Sequence, residues 1–300
     1  MTEGDIHTID EIIERYTLEP DIFDIFVEGN RDYSFYNYFV KEIGGKNIEI
    51  YVIDTIELNE EDLNNFSLSI KKNNKNKVIA LSYLLDKSIP DLDNVRCIVD
   101  SDFDLILKKK YNYRMLLQTD YTSLELYLFN KKVLQKFFAL AIESTQFSIN
   151  SIISQFSEIL SEIFLIRLAN FLLEANMEWY SIKKCCTFNV SEILFDSTEF
   201  IKRYLSKNSL LYLEENFIEI IEDNRANLTD DPKKQIHRDD LFELMSLFLR
   251  KSCKFELKLS SIEFVSKSLF LCIEINQLLE ENLFKKLKNW IEKCQMSENI

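Results

Sequence analysis

Two short acidic segments have residue types and spacings that suit metal-assisted chemistry. The first is Glu28, followed four residues later by Asp32. The second contains Asp100, Asp102 and Asp104, separated by single residues. Crowded carboxylates take up protons unless a cation compensates them, and Mg²⁺ or Mn²⁺ prefers such oxygen ligands. The pattern predicts a divalent-cation site for phosphoryl transfer, most simply phosphodiester hydrolysis. The alternative is that these acids are helix caps and solvated loop residues.

The elements that must position these acids are short, mostly apolar strands. Residues 22–27 and 95–99 are mostly apolar runs that end at Glu28 and Asp100, as is typical of strands buried on both faces of a parallel sheet. Ligands of such sheets bind beyond the carboxyl ends of the strands. Because alternate residues leaving a strand point the same way, we expect Asp100 and Asp102 to face a common point.

The remaining elements of the first part alternate between helix and strand patterns. Helical spacing covers residues 7–16 and 31–43, and the Gly44-Gly45 pair ends the second of these helices. Further strands are predicted at 48–53 and 113–117, with helices within 59–88 around a polar break near 71–77. This alternation predicts an α/β fold with a parallel sheet over residues 1–130.

From about residue 121 the hydrophobic period becomes helical. Residues 148–176 have the spacing of a long amphipathic helix, and more helices are predicted at 197–206, 209–223, 239–251 and 262–294, with an exposed loop at 227–235. Residues 131–300 are therefore predicted to form an α-helical module for dimerisation, partner binding or substrate binding.

The charge of the chain is strongly negative and unevenly distributed. The net charge is −14, with −11 in residues 1–130 and −3 in residues 131–300. So acidic a chain is expected to bind nucleic acid poorly unless basic groups are gathered locally. The candidates are Lys108, Lys109 and Lys110 after the acidic cluster, and His237 with Arg238. Such charge runs are more often solvated surface.

The composition limits which cofactors and which cellular location we expect for this protein. Six cysteines form no CxxC pair and only two histidines occur, so we expect reduced cysteines and no zinc site of ordinary spacing. The apolar stretches are too short for a bilayer span and the N-terminus lacks the pattern of a secretory signal. A cytoplasmic protein with no membrane partner is expected.

Three motifs resemble those of a known family. Residues 26–32, Phe-Val-Glu-Gly-Asn-Arg-Asp, resemble the EGxxD signature of Toprim domains, and residues 99–104, Val-Asp-Ser-Asp-Phe-Asp, resemble their DxD signature in its extended DxDxD form. Residues 121–128 are similar to the S-x-E-N-Y-L segment of bacterial Toprim-like phage-defence effectors, a family whose best-known members are the AriB effectors of PARIS systems. Leu126 stands where that family often has Asn.

The resemblance implies a function as well as a fold. It implies a Toprim-like domain followed by helices, and a nuclease effector held by an ABC-type ATPase partner until a phage protein is sensed. Such effectors are thought to cleave transfer RNA. The matching motifs imply that Glu28 is the general base or a metal ligand and that Asp100 and Asp102 are metal ligands. They imply supporting roles for Asp32 and Asp104, and Glu125 is either a further ligand or a helix-start residue.

Two other functions remain open. The same acidic site could cleave DNA, because phosphodiester chemistry is shared and substrate choice depends on shape. Alternatively, the Toprim-like scaffold could be a non-catalytic module that docks on an ATPase. An active homodimer is expected in the nuclease case, because two modest basic surfaces can then act as one.

Overall fold

A computed structural model describes residues 6–58, 73–144, 147–189, 192–253 and 255–297. The chain forms two compact units. The first unit comprises Met1–Ser101, Lys110–Asp120 and Glu274–Ile300, and the second comprises Asp102–Lys109 and Tyr121–Ile273. The sequence places a boundary near residue 130, whereas these units divide the chain at several points, and the C-terminal segment belongs to the first unit.

The elements follow one another in this order along the chain. The strands are β1 (His7–Thr8), β2 (Phe23–Val27), β3 (Ile48–Val52), β4 (Ile56–Glu57), β5 (Val95–Val99), β6 (Leu116–Gln118), β7 (Cys186–Phe188) and β8 (Ile193–Phe195). The α-helices are α1 (Ile9–Leu18), α2 (Asn30–Glu42), α3 (Asn74–Ser88), α4 (Lys131–Lys136), α5 (Ile149–Leu172), α6 (Ser197–Lys207), α7 (Glu214–Arg225), α8 (Arg238–Lys251), α9 (Ile262–Cys272), α10 (Ile275–Leu278) and α11 (Asn282–Ser297).

The first unit contains a four-stranded sheet in the order β3-β2-β5-β6. All of its strand pairs are parallel, with Val27 opposite Val52 and Val99 opposite Gln118. β2 and β5 are central and almost fully buried, which explains why most of their residues are apolar. The expected parallel α/β fold is therefore confirmed for this unit. The fourth strand, predicted at 113–117, lies at Leu116–Gln118.

Local sequence signals account for the helix ends of this unit. Thr8 and Glu11 form the capping box that starts α1. Gly44 adopts a φ of +88° after α2, a left-handed conformation that favours glycine. Asn73 caps α3, and its side chain accepts from the Asn76 N–H. The helix therefore begins inside the predicted polar break, while the remainder of that prediction, 59–72, lies outside the described residues.

The second unit is mainly helical, as predicted. Its longest helix, α5, is bordered by α4, α6, α7 and α8, and much of its length is buried because apolar residues occur on most of its faces. Two features differ from the sequence-based expectation. β7 and β8 form an antiparallel hairpin, and the stretch 262–294 is broken into α9, α10 and α11. Among the described helices, none has the length and apolar composition needed to cross a bilayer.

Candidate acidic site

An acidic residue follows every strand of the four-stranded sheet in the first unit. Glu28 directly follows β2 and Asp100 directly follows β5, while Asp54 and Asp120 come two residues after β3 and β6. Parallel strands end at a common edge, so these four acids gather at one edge of the sheet. The sequence-based prediction of an acidic carboxyl edge included only Glu28 and Asp100 from this set.

A direct hydrogen bond joins the acidic segments that follow β2 and β5. The Asp100 backbone N–H donates to Glu28 Oε1 over 2.8 Å. The Asn74 side chain, at the start of α3, donates to the Glu28 carbonyl oxygen over 2.8 Å and to Asp54 Oδ2 over 3.3 Å. Residues that are far apart in the chain thus hold Glu28 against the end of β5.

The turn that follows β5 is anchored on both sides. The Ser101 N–H donates to Thr119 Oγ1 over 2.9 Å, and Ser101 Oγ donates to the Thr119 carbonyl oxygen over 2.6 Å. The Lys75 ammonium donates to the Ser101 carbonyl oxygen over 3.2 Å, and this lysine is only 8 % exposed. A buried cation from α3 therefore lies beside the peptide that follows Asp100.

Asp32 lies in the first turn of α2, where the helix dipole favours negative charge. Its carboxylate lies near the residue that follows Glu28. A Cβ atom at Gly29 would be 3.6 Å from Asp32 Oδ2. This separation is an ordinary van der Waals contact, so the Asp32 carboxylate lies beside the backbone of Gly29. Glu28, Asp32 and Asp100 are all partly buried.

Asp120 and Tyr36 also belong to this region, and the sequence-based prediction missed them as it missed Asp54. Asp120 Oδ2 accepts from the Leu283 N–H over 2.9 Å, one of the N–H groups that the first turn of α11 leaves without a helical partner. Tyr36 lies on α2, and its pKa is raised well above 10 by burial and then by the carboxylates of Asp32, Asp100, Glu28 and Asp120. The sequence could have indicated Asp120, because it is an acidic residue shortly after a predicted strand. For Tyr36 the sequence shows only the helical spacing of a buried residue, which does not indicate a functional role.

Asp102 and Asp104 belong to the second unit. β5 ends at Val99 and Asp102 has a φ of +46°, so the strand alternation that motivated pairing Asp100 with Asp102 does not extend to Asp102. The Asp102 N–H donates to the Thr122 carbonyl oxygen over 2.8 Å. Asp102 is exposed and Asp104 is buried.

The predicted residue Glu125 lies in a buried 3₁₀ turn of the second unit, Leu124–Leu128. Its carboxylate is 1 % exposed, and Oε1 lies 3.5 Å from an Arg238 nitrogen. The neighbouring residue Thr122 donates through its hydroxyl to the Ile236 carbonyl oxygen. The motif at 121–128 thus packs against the segment that precedes α8, and Arg238 partly compensates the Glu125 carboxylate.

His237 caps α8, and its Nδ1 accepts from the Asp239 N–H over 3.3 Å. Burial, and then the nearby Arg167 and Arg238, lower the pKa of His237 to about 3. The imidazole is therefore neutral near pH 7, so it can donate a hydrogen bond through Nε2 to a phosphate but brings no positive charge to it.

The three predicted lysines are divided between the units. Lys108 and Lys109 belong to the second unit and Lys110 to the first. Lys108 is exposed, with its ammonium 3.5 Å from Asn227 Oδ1. Lys110 is exposed as well.

The donor types of the first unit fit a hard divalent cation, since Glu28, Asp32 and Asp100 supply carboxylate oxygens, and all three contribute to raising the pKa of the buried Tyr36 hydroxyl. A complete ligand set is not preformed: over residues 6–58, 73–144, 147–189, 192–253 and 255–297, no three His, Cys, Asp or Glu side chains are grouped to hold a metal ion. Glu28 Oε1 is engaged by the Asp100 N–H. Binding through Glu28 therefore needs its other oxygen or a change in this hydrogen bond.

Comparisons with known proteins leave the family open. A scan against known protein families finds no family that matches this chain, and a search of the curated proteins finds no matching protein. The resemblance to Toprim-like effectors therefore stays a prediction that depends on the motifs at 26–32, 99–104 and 121–128.

Proposed function

We propose that this chain is a metal-dependent nuclease with a Toprim-like acidic site, and that it acts as a phage-defence effector that cleaves transfer RNA. One observation carries the proposal. Glu28 Oε1 accepts a hydrogen bond from the Asp100 N–H, so acids that follow two different strands of a parallel sheet share one edge. That edge is where enzymes of this architecture bind their ligands.

The chemistry assigned to the site divides between a cation and the side chains. A bound Mg²⁺ or Mn²⁺ would polarise the phosphodiester and lower the pKa of attacking water. Asp100 would hold the ion, and Asp32 would keep the region negative at the start of α2. Glu28 would take the proton from the attacking water or bind the ion. The roles expected for Asp102 and Asp104, a ligand and a supporting acid, stay predictions from the sequence.

The partners follow from the motif resemblance. An ABC-type ATPase would hold the effector inactive, and release would allow formation of an active homodimer. Lys108, Lys109, Lys110 and Arg238 are the candidates for contacting phosphate, while His237 would contribute only a neutral donor.

A non-catalytic module that docks on an ATPase is the second candidate. The specific observation in its favour is the lack of a preformed three-residue ligand group among the described residues. In that case the acids at the sheet edge would serve packing and capping, as Asp120 does for α11.

Cleavage assays test the proposal directly. The purified chain, incubated with Mg²⁺ or Mn²⁺, is given total transfer RNA and plasmid DNA in parallel. We expect cleavage of transfer RNA that EDTA abolishes. Glu28→Gln should lower the rate by about 10²- to 10⁴-fold, because it removes the charge and the proton acceptor. The glutamine keeps an oxygen that can accept from the Asp100 N–H.

The matched control is Glu49→Gln, which makes the same change at an exposed position near the start of β3. This variant should retain the wild-type rate. Cleavage of plasmid DNA instead of transfer RNA would assign the site to a DNA endonuclease. If neither substrate is cut and the chain binds neither Mg²⁺ nor Mn²⁺, the nuclease proposal fails and the docking module is favoured.

A further inference from the structure

Tyr36 has a buried hydroxyl that the packing of the first unit does not explain. The side chain is 1 % exposed, and its ring stacks on Phe284 of α11 with the ring centroids 6.1 Å apart. Phe35 and Phe39 also contact Phe284. Within the described part of the chain, the Tyr36 hydroxyl has no hydrogen-bond partner. Burying an unsatisfied hydroxyl destabilises a fold, so phenylalanine would provide the same ring packing without this cost.

The surroundings of the hydroxyl are acidic, and independent contacts support this. Asp32 precedes Tyr36 by one helical turn on α2, so the two side chains share a helix face. Asp120 binds the N–H of Leu283, the residue before the Phe284 ring that stacks on Tyr36. Asp120, which follows β6, and Asp32, which lies in the first turn of α2, are thus both connected to the elements that enclose the Tyr36 side chain.

The direction of the Tyr36 pKa shift agrees with an acidic surrounding. After burial, the largest influences that raise the pKa of Tyr36 are Asp32, Asp100, Glu28 and Asp120. The phenol therefore stays protonated at neutral pH and can only act as a hydrogen-bond donor or a weak acceptor. It cannot serve as a nucleophile there.

We propose that Tyr36 is a positioning residue of the acidic site, whose hydroxyl donates a hydrogen bond to the ligand shell of a divalent cation held by Glu28, Asp32 and Asp100. This inference rests on the proposed function, because it assumes that the acidic edge binds a cation. The hydroxyl would gain its missing partner when the ion orders the surrounding carboxylates. Groups that orient metal ligands in this way affect metal affinity without contacting the metal.

The test is Mn²⁺ binding to the full chain, measured by calorimetry, together with thermal unfolding in EDTA. Tyr36→Phe removes only the hydroxyl and keeps the ring that packs on Phe284. We expect the Mn²⁺ dissociation constant to rise by about 10- to 100-fold. The melting temperature in EDTA should stay the same or rise, because an unsatisfied buried group is removed.

Tyr204→Phe is the matched control. Tyr204, in the second unit, is also fully buried, and its hydroxyl has no hydrogen-bond partner among the described residues. The charge that acts on it is the cation Arg167, not a group of acids. This variant should change the melting temperature in a similar direction and leave Mn²⁺ binding unchanged.

The outcomes separate this inference from the function on which it rests. If the wild-type chain does not bind Mn²⁺, the proposed function fails and the role of Tyr36 fails with it. If the wild-type chain binds and Tyr36→Phe binds equally well, only the role of Tyr36 is overturned. Equal losses of affinity in Tyr36→Phe and Tyr204→Phe would show a general effect of core changes and would also overturn it.

Discussion

The first unit contains two buried tyrosines beside carboxylates, and the hydrogen bonding of their hydroxyls differs. Tyr16 donates to Asp24 Oδ2 over 2.6 Å, and an Arg15 nitrogen lies 3.2 Å from the same oxygen. This group, called here the Asp24 triad, lies toward the start of β2. Tyr36 lies near the acids beyond the carboxyl ends of the strands, and its hydroxyl has no partner within the described residues.

The difference separates a structural group from one suited to binding. In the Asp24 triad the protein supplies both the donor and the cation for a carboxylate that is fully buried. Not every polar atom of the triad is hydrogen-bonded, since Asp24 Oδ1 and one Arg15 nitrogen have no hydrogen-bond partner in the described part of the chain. At the acidic edge, by contrast, the Tyr36 hydroxyl is a donor for which the residues described by the structure supply no acceptor, so a ligand can complete the group.

Removing the cation of the Asp24 triad should produce the largest loss of stability. We expect Arg15→Met to lower the free energy of unfolding at pH 7 by about 3 kcal/mol, because the buried Asp24 charge loses its partner. Urea unfolding measures this. The control, Arg15→Lys, keeps the charge but loses the planar group that lies over Tyr16 and Tyr51, and should cost about half as much. A loss below about 1 kcal/mol for Arg15→Met would contradict a structural role for the triad.

The pH dependence of the Asp24 triad gives a second test. Burial raises the pKa of Asp24, against the opposing effects of Tyr16 and Arg15. The folded state then binds the proton more tightly than the unfolded state, so the contribution to stability is complete below about pH 4 and is lost as pH rises through the raised pKa. Relative to Asp24→Asn, the wild-type chain should therefore lose stability between pH 4 and pH 7.

Unfolding of both proteins at the two pH values measures this difference. The asparagine keeps an oxygen that can accept from Tyr16, so the comparison isolates the charge. A wild-type chain that gains stability relative to Asp24→Asn over this interval would show that Arg15 outweighs burial.

Neutralising Asp120 should have the smallest effect of these changes, and its effect on Mn²⁺ affinity would show whether Asp120 contributes to the acidic edge. Asp120→Asn keeps an oxygen for the Leu283 N–H and removes one of the charges near Tyr36. We expect Mn²⁺ affinity to fall by roughly threefold to tenfold, as expected for one screened charge, with the melting temperature nearly unchanged. Unaltered Mn²⁺ binding would leave Asp120 as a helix cap alone.

Local patterns predicted much of the first unit. The apolar runs that became β2 and β5 and the helical spacing of α2 are properties of contiguous residues, so they can be read without knowing the partners. The hairpin of β7 and β8 was missed because its strands are three residues each and carry no strong alternation. The break between α9 and α11 was missed because residues 273–281 contain neither glycine nor proline.

The sequence by itself determined the parallel α/β fold, the helical character of residues after 121, and the acids that follow β2 and β5. Only the tertiary structure decided that α11 joins the first unit, that Asp120 binds Leu283, and that the Tyr36 hydroxyl lies among carboxylates. The physical reason is sequence separation. Periodicity reports which face of an element is buried, whereas contacts such as Asp120 with Leu283, 163 residues apart, depend on how distant elements pack together.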